Sequence, residues 1–264
     1  MNRREFLVAA GVAIAAPKRQ RRGGGHNPES GRWREFEITT HVRVLEPHGA
    51  TRVWLPTPLA IAPYQRTMGD NYHPGSGTAV MIETNASEPD MLGCVWDEDV
   101  EASVTLVSRV AIRDHAVPGA AGPGADKARA IFEGALDNEL FVGECRAVGL
   151  RVRLVYGLRL TSADATRAQQ ARAEIVLDGQ GWVPVDAAAR QFGSWDTDWL
   201  AYNSATQVRL RGSDRAPLPY FMHPQGETGK GPLDSLDPER FSYSIRVQEI
   251  APTADAPRPA NWLL

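Results

Sequence analysis

The sequence predicts an α+β fold in which a β-sandwich-like region precedes a region of helices and antiparallel strands. Two observations lead to this prediction. Between residues 33 and 112, short segments alternate apolar and polar residues and are separated by Pro and Gly, as in sandwiches of short strands. After residue 125, a helical repeat of apolar residues comes first and alternating strands follow.

The first 30 residues carry the pattern of an export signal and a linker. Residues 2–7 read Asn-Arg-Arg-Glu-Phe-Leu and precede the apolar run 8–16, which is typical of a twin-arginine signal peptide. That run is too short to span a bilayer, which takes about 20 apolar residues. We therefore expect residues 1–16 to be a signal peptide and the mature protein to be periplasmic or secreted, without a transmembrane segment. Residues 17–30 are basic and rich in Gly, and predict a flexible linker.

Residues 31–116 predict an N-terminal β domain. Its strands show the period-2 alternation of half-buried strands and end at Pro or Gly. The predicted strands cover residues 36–44, 51–55, 78–83, 93–96 and 100–112. Residues 117–124 then contain two Pro and three Gly, so we predict a linker over 117–125.

Residues 126–264 predict a second, α+β domain. Apolar residues at helical spacing indicate a helix over 126–138, begun by Asp126, and a further helical segment over 140–148 that Gly149 ends. The remaining elements are three strands, of which two form a hairpin, and a late strand that we expect to close their sheet. They cover residues 152–158, 171–177, 182–185 and 241–247.

Composition argues against several classes of function. The formal net charge of −3 implies no basic face, which makes a nucleic-acid partner a poor match. The two cysteines, Cys94 and Cys145, are best interpreted as small buried apolar residues. The six histidines are scattered without metal-ligand spacing, so neither a metal site nor a cofactor is predicted.

An ordered series of short motifs resembles the bacterial transglutaminase-like family. Of these motifs, Gly181-Trp182-Val183-Pro184-Val185-Asp186 is fairly specific, and the order of the blocks is more specific still. The other blocks are Val53–Pro56, Pro63–Arg66, Leu140–Gly143, Arg146–Leu150, Val155–Gly157, Ala168–Glu174, Phe192–Trp195, Trp199–Ser204, Phe221–Gln225 and Leu233–Tyr243. The resemblance implies a papain-like core with a Cys-His-Asp triad, in which a thiolate attacks an acyl carbonyl.

The resemblance also implies that two members of the triad are missing. The family cysteine lies a little upstream of the Leu-Phe-Val-Gly block, where this chain is shortened; an ungapped alignment puts Gly134 there. The family histidine position holds Gln170, whose amide takes up no proton near pH 7. Asp186 remains as a relic of the triad acid. In one interpretation, Asp186 still hydrogen-bonds Gln170 and Arg172 has a functional role. In the other, Asp186 is a turn aspartate and Arg172 is a surface arginine.

Several further residues have two interpretations. Cys145 is an alternative nucleophile, although a cysteine inside a helix is more often a packing residue. His115 and His223 are distant candidate bases and are more typical of surface or loop histidines. Trp182 either lines the former cleft or fills the core.

The sequence thus favours an exported, inactive transglutaminase-like protein that binds a peptide or an amine ligand in the former cleft. The alternative is an active thiol acyltransferase or amidase that uses Cys145. A third possibility is a shortened copy that exposes apolar surface, and dimerisation over that surface is a fourth. The oligomeric state stays open.

Overall fold

The computed structural model describes residues 32–60, 64–84, 89–97 and 100–251. The predicted signal peptide, residues 1–16, and the linker over 17–30 lie outside the described residues. Across the ranges that are described, no helix is both long enough and apolar enough to cross a membrane.

Two helices and sixteen strands are found in these ranges, which confirms the α+β class. The helices are α1, Pro123–Gly134, and α2, Asn138–Ala147. The strands are β1 Arg34–Val44, β2 Thr51–Pro56, β3 Gln65–His73, β4 Thr78–Ile82, β5 Met91–Trp96, β6 Ala102–Ile112, β7 His115–Ala116, β8 Val152–Arg159, β9 Gln169–Leu177, β10 Gly181–Asp186, β11 Gln191–Phe192, β12 Ser194–Trp195, β13 Trp199–Asn203, β14 Gln225–Thr228, β15 Gly231–Leu233 and β16 Phe241–Ile250.

The first region is a sandwich of two antiparallel sheets. One sheet has the strand order β16-β1-β6-β3 and the other has the order β15-β14-β2-β5-β4. Alternate residues of each strand face the space between them and form one core, because side chains alternate between the two faces of a strand. That core includes Val42, Leu55, Leu92, Val104 and Phe241.

The strand predicted over 241–247 does not close the sheet of the second region, and that prediction was wrong. It is part of β16, which pairs with β1 from Glu35↔Ile250 to Val44↔Phe241. β14 likewise pairs with β2. The alternation of Phe241 to Val247 specifies a strand with one buried face, but it carries no information about the partner strand. The domain boundary over 117–125 stays a prediction, while strand pairing puts residues 225–250 with the sheets of the first region.

The second region is a five-stranded antiparallel sheet covered on one face by the two helices. Its strand order is β11-β10-β9-β8-β13, and β9 and β10 form the predicted hairpin. Gly179 and Gly181, at φ of +74° and +72°, give that hairpin its turn. The core between helices and sheet includes Phe132, Phe141, Cys145, Ile175 and Val185.

The ends of the helices differ from the predicted ranges 126–138 and 140–148, since α1 ends at Gly134 and Asn138 already belongs to α2. α1 begins at Pro123 and not at Asp126, since proline is well suited to the first turn, where its missing N–H is not needed. α2 begins at Asn138, and the carboxylate of Asp137 caps it by accepting a hydrogen bond from the Leu140 N–H at 2.7 Å. Gly149, at φ +80°, follows its end as predicted.

Candidate functional site

The carboxylate of Asp186, at the end of β10, is buried and bound on both oxygens. Oδ1 accepts hydrogen bonds from the Asn138 side-chain amide and from the Ala189 N–H, both at 3.1 Å. Oδ2 lies 3.1 Å from Nε of Arg172. The bond to Ala189 is that of a turn aspartate, whereas the other two contacts join Asp186 to a helix and to the neighbouring strand.

Asn138 is the buried residue that links the start of α2 to the sheet. Besides Asp186, its side-chain amide donates to the carbonyl of Ala171 at 2.9 Å. Its carbonyl oxygen accepts from the Ala187 N–H at 2.8 Å. The Asn138 side chain thus forms hydrogen bonds with backbone groups of β9 and of the segment after β10. These bonds fix the position of the N-terminus of α2 relative to the ends of the two strands. We call Asn138, Arg172 and Asp186 the core cluster.

Arg172 is 1% exposed, so the surface-arginine alternative was wrong. Its guanidinium forms ion pairs with Asp186 and with Asp196, the latter at 3.1 Å through Nη2. The guanidinium carbon also lies 4.8 Å from the centre of the Trp199 ring. Nε and Nη1 have no hydrogen-bond partner among the described residues, so the contact between Nε and Asp186 is an ion pair and not a hydrogen bond. The buried cation is therefore held by two carboxylates and an aromatic ring.

Gln170 does not join the core cluster. It lies in β9 opposite Gly157 of β8, and its side chain is exposed. The contacts of Asp186 within the described chain go to Asn138, Ala189 and Arg172, so the expected hydrogen bond between Asp186 and Gln170 is not formed. Gly134 is the last residue of α1 and not the first residue of a helix.

Cys145 is fully buried against the sheet, and its thiol is free. Burial, and after it the negative charge of Glu144, raise the pKa of this thiol to about 11. At neutral pH the thiol is therefore protonated, which opposes nucleophilic use because the thiolate is the reactive form. Cys94 is also free and buried, and its thiol pKa is raised by burial. The interpretation of both cysteines as buried apolar residues is confirmed.

A second buried polar group surrounds Glu174 of β9, and the sequence did not predict it. Arg153 Nε donates to the Glu174 carboxylate at 2.6 Å, and the Tyr64 hydroxyl donates to it at 3.3 Å. Nε2 of His115 lies 3.9 Å from the same carboxylate. Tyr64 precedes Glu174 by 110 residues, so only the folded chain brings them together.

His115, His223 and Trp182 depart in part from expectation. His115 is 4% exposed, so the expected surface position was wrong. Burial, followed by the charge of Arg113, lowers its pKa to about 3. His223 lies in a loop, as expected, and burial lowers its pKa. Trp182 is half-buried with Arg153 packed over its ring at 4.0 Å, so it does not fill the core.

The face near the start of α2 is apolar and aromatic. Leu136, between the helices, is 83% exposed, and Leu140 is 40% exposed. Tyr220 packs against Tyr156 of β8, with ring centres 5.6 Å apart, and is 42% exposed. Glu139 lies close enough to contribute to the raised pKa of Tyr156, whose largest cause is burial. We call this surface, from Leu136 to Tyr220, the α2 face.

Metal ligation finds no support in the described ranges. No group of three or more His, Cys, Asp or Glu residues there is placed to hold a metal ion.

Three comparisons with known proteins bear on these residues, and one of them matches the segment that contains the core cluster. Residues 137–187 match the profile of the Transglutaminase-like superfamily. An uncharacterized protein of Haemophilus influenzae is 29% identical over 156 residues, an alignment that covers 43% of this chain and 42% of that protein. The chain therefore matches less than half the length of that relative. The crystal structure of a Cytophaga hutchinsonii protein that carries a provisional cysteine-protease name superposes with a TM-score of 0.47 at 12% identity, covering 85% of this chain and 92% of the other.

Proposed function

We propose, from the match of residues 137–187 to the Transglutaminase-like superfamily, that this chain is a transglutaminase-like protein that is exported and that binds a ligand without catalysing acyl transfer. One observation carries the proposal: both oxygens of Asp186, the residue at the position of the triad acid, are bound by Asn138, Ala189 and Arg172. A triad aspartate orients an imidazole, and here the corresponding carboxylate orients an asparagine and an arginine.

The surroundings of the core cluster support the absence of acyl transfer. Gln170 holds the position of the family base, is exposed and provides no proton acceptor comparable to an imidazole. Cys145 lies in the apolar core with a protonated thiol. Loss of a nucleophile or of its base typically lowers turnover by several orders of magnitude, and loss of both leaves little chemistry for the remaining acid to assist.

The alignment with the Haemophilus influenzae protein supports an internal shortening of this chain. The alignment extends over 156 residues, but it includes only 43% of this chain of 264 residues, which is considerably fewer than 156. Gaps in this chain account for the difference between the two lengths. A shortened helical layer also accounts for the exposure of Leu136 at the junction of α1 and α2.

A pair of assays tests the absence of acyl transfer. The full-length chain is incubated with a fluorescent primary amine and a glutamine-containing protein, and amine incorporation and ammonia release are followed beside a Cys145→Ala variant and an active transglutaminase. We expect neither signal to exceed the protein-free blank in either variant. Turnover that rises with protein concentration would contradict the proposal, and its loss in Cys145→Ala would identify Cys145 as the nucleophile.

The reactivity of Cys145 can be measured independently of any substrate. In a Cys94→Ala variant, Cys145 is the remaining cysteine of the chain, so a thiol reagent such as Ellman's reagent reports on it alone. Because the thiol is buried with a pKa near 11, we expect no reaction with the native protein at pH 8 over an hour and complete reaction in concentrated urea. Rapid modification of the native protein would argue for the enzyme alternative.

The α2 face supports binding of a peptide as the retained role. Exposed Leu136 and Leu140 lie at the start of the helix, and Tyr220 offers a partly exposed ring. Aromatic and leucine side chains of this kind are typical of peptide-binding surfaces. Asp137 and Glu139, beside the leucines, favour a peptide that also carries a basic residue.

Peptide binding is tested with matched leucine variants. A fluorescein-labelled peptide of alternating Leu, Gln and Lys is titrated with the full-length chain, and anisotropy is measured. We expect Leu136→Ser to weaken binding about tenfold. Leu236→Ser makes the same substitution in another loop, where Leu236 is 68% exposed, and should leave binding unchanged. Equal effects of the two variants would show that the α2 face is not the binding surface.

A further inference from the structure

Strand β4, Thr78–Ile82, lies at the edge of the sheet β15-β14-β2-β5-β4. It pairs with β5 from Thr78↔Val95 to Ile82↔Met91, and its backbone forms no other hydrogen bond with the described residues. In an antiparallel pair, every second residue of an edge strand points its N–H and C=O away from the partner strand. β4 therefore offers a short row of backbone donors and acceptors. It contributes to neither the core cluster nor the α2 face, so what it binds is independent of the proposed function.

Two other edge strands of the three larger sheets are covered by segments of this chain. Beside β16, the Ala165 N–H donates to the carbonyl of Ile245 at 2.9 Å. Beside β13, the Leu59 N–H donates to the carbonyl of Ala201 at 2.9 Å. Cover of this kind is one way in which proteins prevent edge strands from pairing with other chains.

The remaining edge strands of these sheets are blunted in other ways. β3 has a bulge between Thr67 and Gly69, and it carries the charged residues Arg66 and Asp70. β15 has three residues, one of which is Pro232, and β11 has two residues. β4 has none of these features, because its five residues are uncharged and pair with β5 in a regular register.

Both faces of β4 are covered by its own chain, which decides between kinds of partner. Ala79 and Met81 pack against the sandwich core. Ile82 packs on another cluster, which includes Trp54 and Phe221. A foreign strand is recognised at a sheet edge through pockets for its alternate side chains, and these layers leave no such pockets beside β4. A second copy of this chain brings its own covering layers, and a net charge of −3 causes little repulsion between two copies.

The sequence of β4 is compatible with antiparallel pairing to itself. A two-fold axis through Val80 puts Val80 opposite Val80, Ala79 opposite Met81, and Thr78 opposite Ile82. No like charges then face each other, and the central and outer pairs consist of β-branched residues, which favours the pairing. We propose that the chain forms a symmetric dimer through the β4 edge, in which two five-stranded sheets join into one of ten strands.

Sedimentation velocity of the full-length chain, from about 1 to about 100 μM, tests the proposal. We expect a reversible equilibrium between monomer and dimer. Val80→Lys puts two ammonium groups opposite each other at the axis, so it should raise the dimer dissociation constant at least about tenfold while the thermal transition is retained. Met68→Lys is the matched control, because Met68 is 43% exposed on the edge strand β3, and it should leave the equilibrium unchanged.

Charge reversal at the same position tests the register. Val80→Glu should also be monomeric, whereas an equimolar mixture of Val80→Lys and Val80→Glu should form dimers, since opposite charges then meet at the axis. The proposal is overturned if the wild-type chain stays monomeric over the whole concentration range, or if the mixture of folded variants does not dimerise. Dimers that Leu136→Ser abolishes and Val80→Lys retains would place the interface on the α2 face and would also overturn it.

A cysteine at the axis keeps the test decisive if the charged variants lose their thermal transition. In a Cys94→Ala background, mild oxidation should convert Val80→Cys into a covalent dimer that a reducing agent splits. Directly opposite residues of antiparallel strands have Cα atoms about 4.5–5.5 Å apart, which suits a disulfide. Met68→Cys in the same background should stay monomeric in denaturing electrophoresis. Equal crosslinking of the two variants, or none in Val80→Cys, would show that β4 is not the interface.

Discussion

His115 has an environment that departs strongly from its ordinary chemistry. Its ring stacks on Tyr64, with ring centres 4.3 Å apart, and meets the edge of Trp195 at 5.7 Å. Because burial disfavours the charged form, the pKa of His115 falls from 6.5 to about 3. The folded protein therefore keeps this imidazole neutral over a pH range in which the unfolded chain protonates it.

The sign of the resulting pH dependence follows from proton binding. Between pH 6.5 and about pH 3 the unfolded state binds the proton and the folded state does not, so stability falls as pH falls. We expect the His115 contribution to lower the free energy of unfolding by on the order of 2 kcal/mol between pH 7 and pH 5. Urea unfolding at both pH values measures it.

A pair of histidine variants isolates that contribution. His115→Phe preserves a flat ring against Tyr64 and has no titrating group, so its stability should change less between pH 7 and pH 5 than that of the wild type. His41→Phe, on an exposed strand face beside Thr105, should retain the wild-type pH dependence. If His115→Phe and the wild type lose equal stability, the imidazole does not stay neutral in the folded state.

At the same scale, the sequence predicted the location of the candidate site better than its contacts. The motif that ends at Asp186 and the block that contains Arg172 identified two members of the core cluster. Asn138 carried a signal that could have been used, since Asp137-Asn138 is a typical helix start. The hydrogen bond expected between Gln170 and Asp186 does not form because the pairing of β9 with β10 ends at Val185↔Ala173. Arg172 therefore lies next to Asp186, and Gln170 lies two positions further along the same face of β9. Contacts between distant residues, such as Tyr64 and Glu174, leave no local pattern.

At the scale of elements, apolar spacing predicted several strands and both helices, and it missed two strands for opposite reasons. Strands β1, β2, β5, β6, β8 and β10 and both helices follow from apolar spacing. β3 was missed because residues 65–73 are polar and largely exposed at the edge of a sheet. β13 was missed for the opposite reason, since all five of its residues are buried and show no alternation.

The C-terminus of α1 is held by an arginine from a distant loop. Arg190 donates through Nη1 to the carbonyls of Phe132 and Ala135, at 2.9 and 3.3 Å, and through Nη2 to the Glu133 carboxylate at 2.9 Å. Carbonyls at a helix end have no partner within the helix, and a cation is favoured there. Arg190 itself has φ +57°, and it is the one non-glycine residue with positive φ among those described.

Two substitutions at Arg190 separate the side-chain contribution from the backbone cost. Arg190→Ala loses the contacts to α1 and keeps an L side chain at positive φ, so we expect it to be destabilised by about 1–2 kcal/mol. Arg190→Gly loses the same contacts but relieves the backbone, so it should be more stable than Arg190→Ala by up to about 1 kcal/mol. Chemical denaturation of both variants gives the difference. An alanine variant at least as stable as the glycine variant would show that the backbone at position 190 is not strained.

At the scale of the whole molecule, the chain returns to its first sheets after it has formed the second region. β16 pairs with β1 over ten residues, and β14 pairs with β2. Phe241 of β16 and Leu233 of β15, which pairs with β14, complete the sandwich core. The predicted domain over 31–116 lacks these strands, and without them β1 and β2 become exposed edges that favour aggregation.

We therefore expect a fragment of residues 31–116 to show no cooperative thermal transition and to bind hydrophobic dyes. A chain that joins residues 31–116 to residues 225–251 through a Gly-Ser linker should regain sheet structure, because it restores the pairing of β1 with β16 and of β2 with β14. Circular dichroism during heating distinguishes the two chains. Phe241→Lys in the joined chain is the matched control, since it places a charge in the sandwich core, where Phe241 is 1% exposed, and should abolish the gain. A cooperative transition in residues 31–116 alone would instead show that the first region folds without its C-terminal strands.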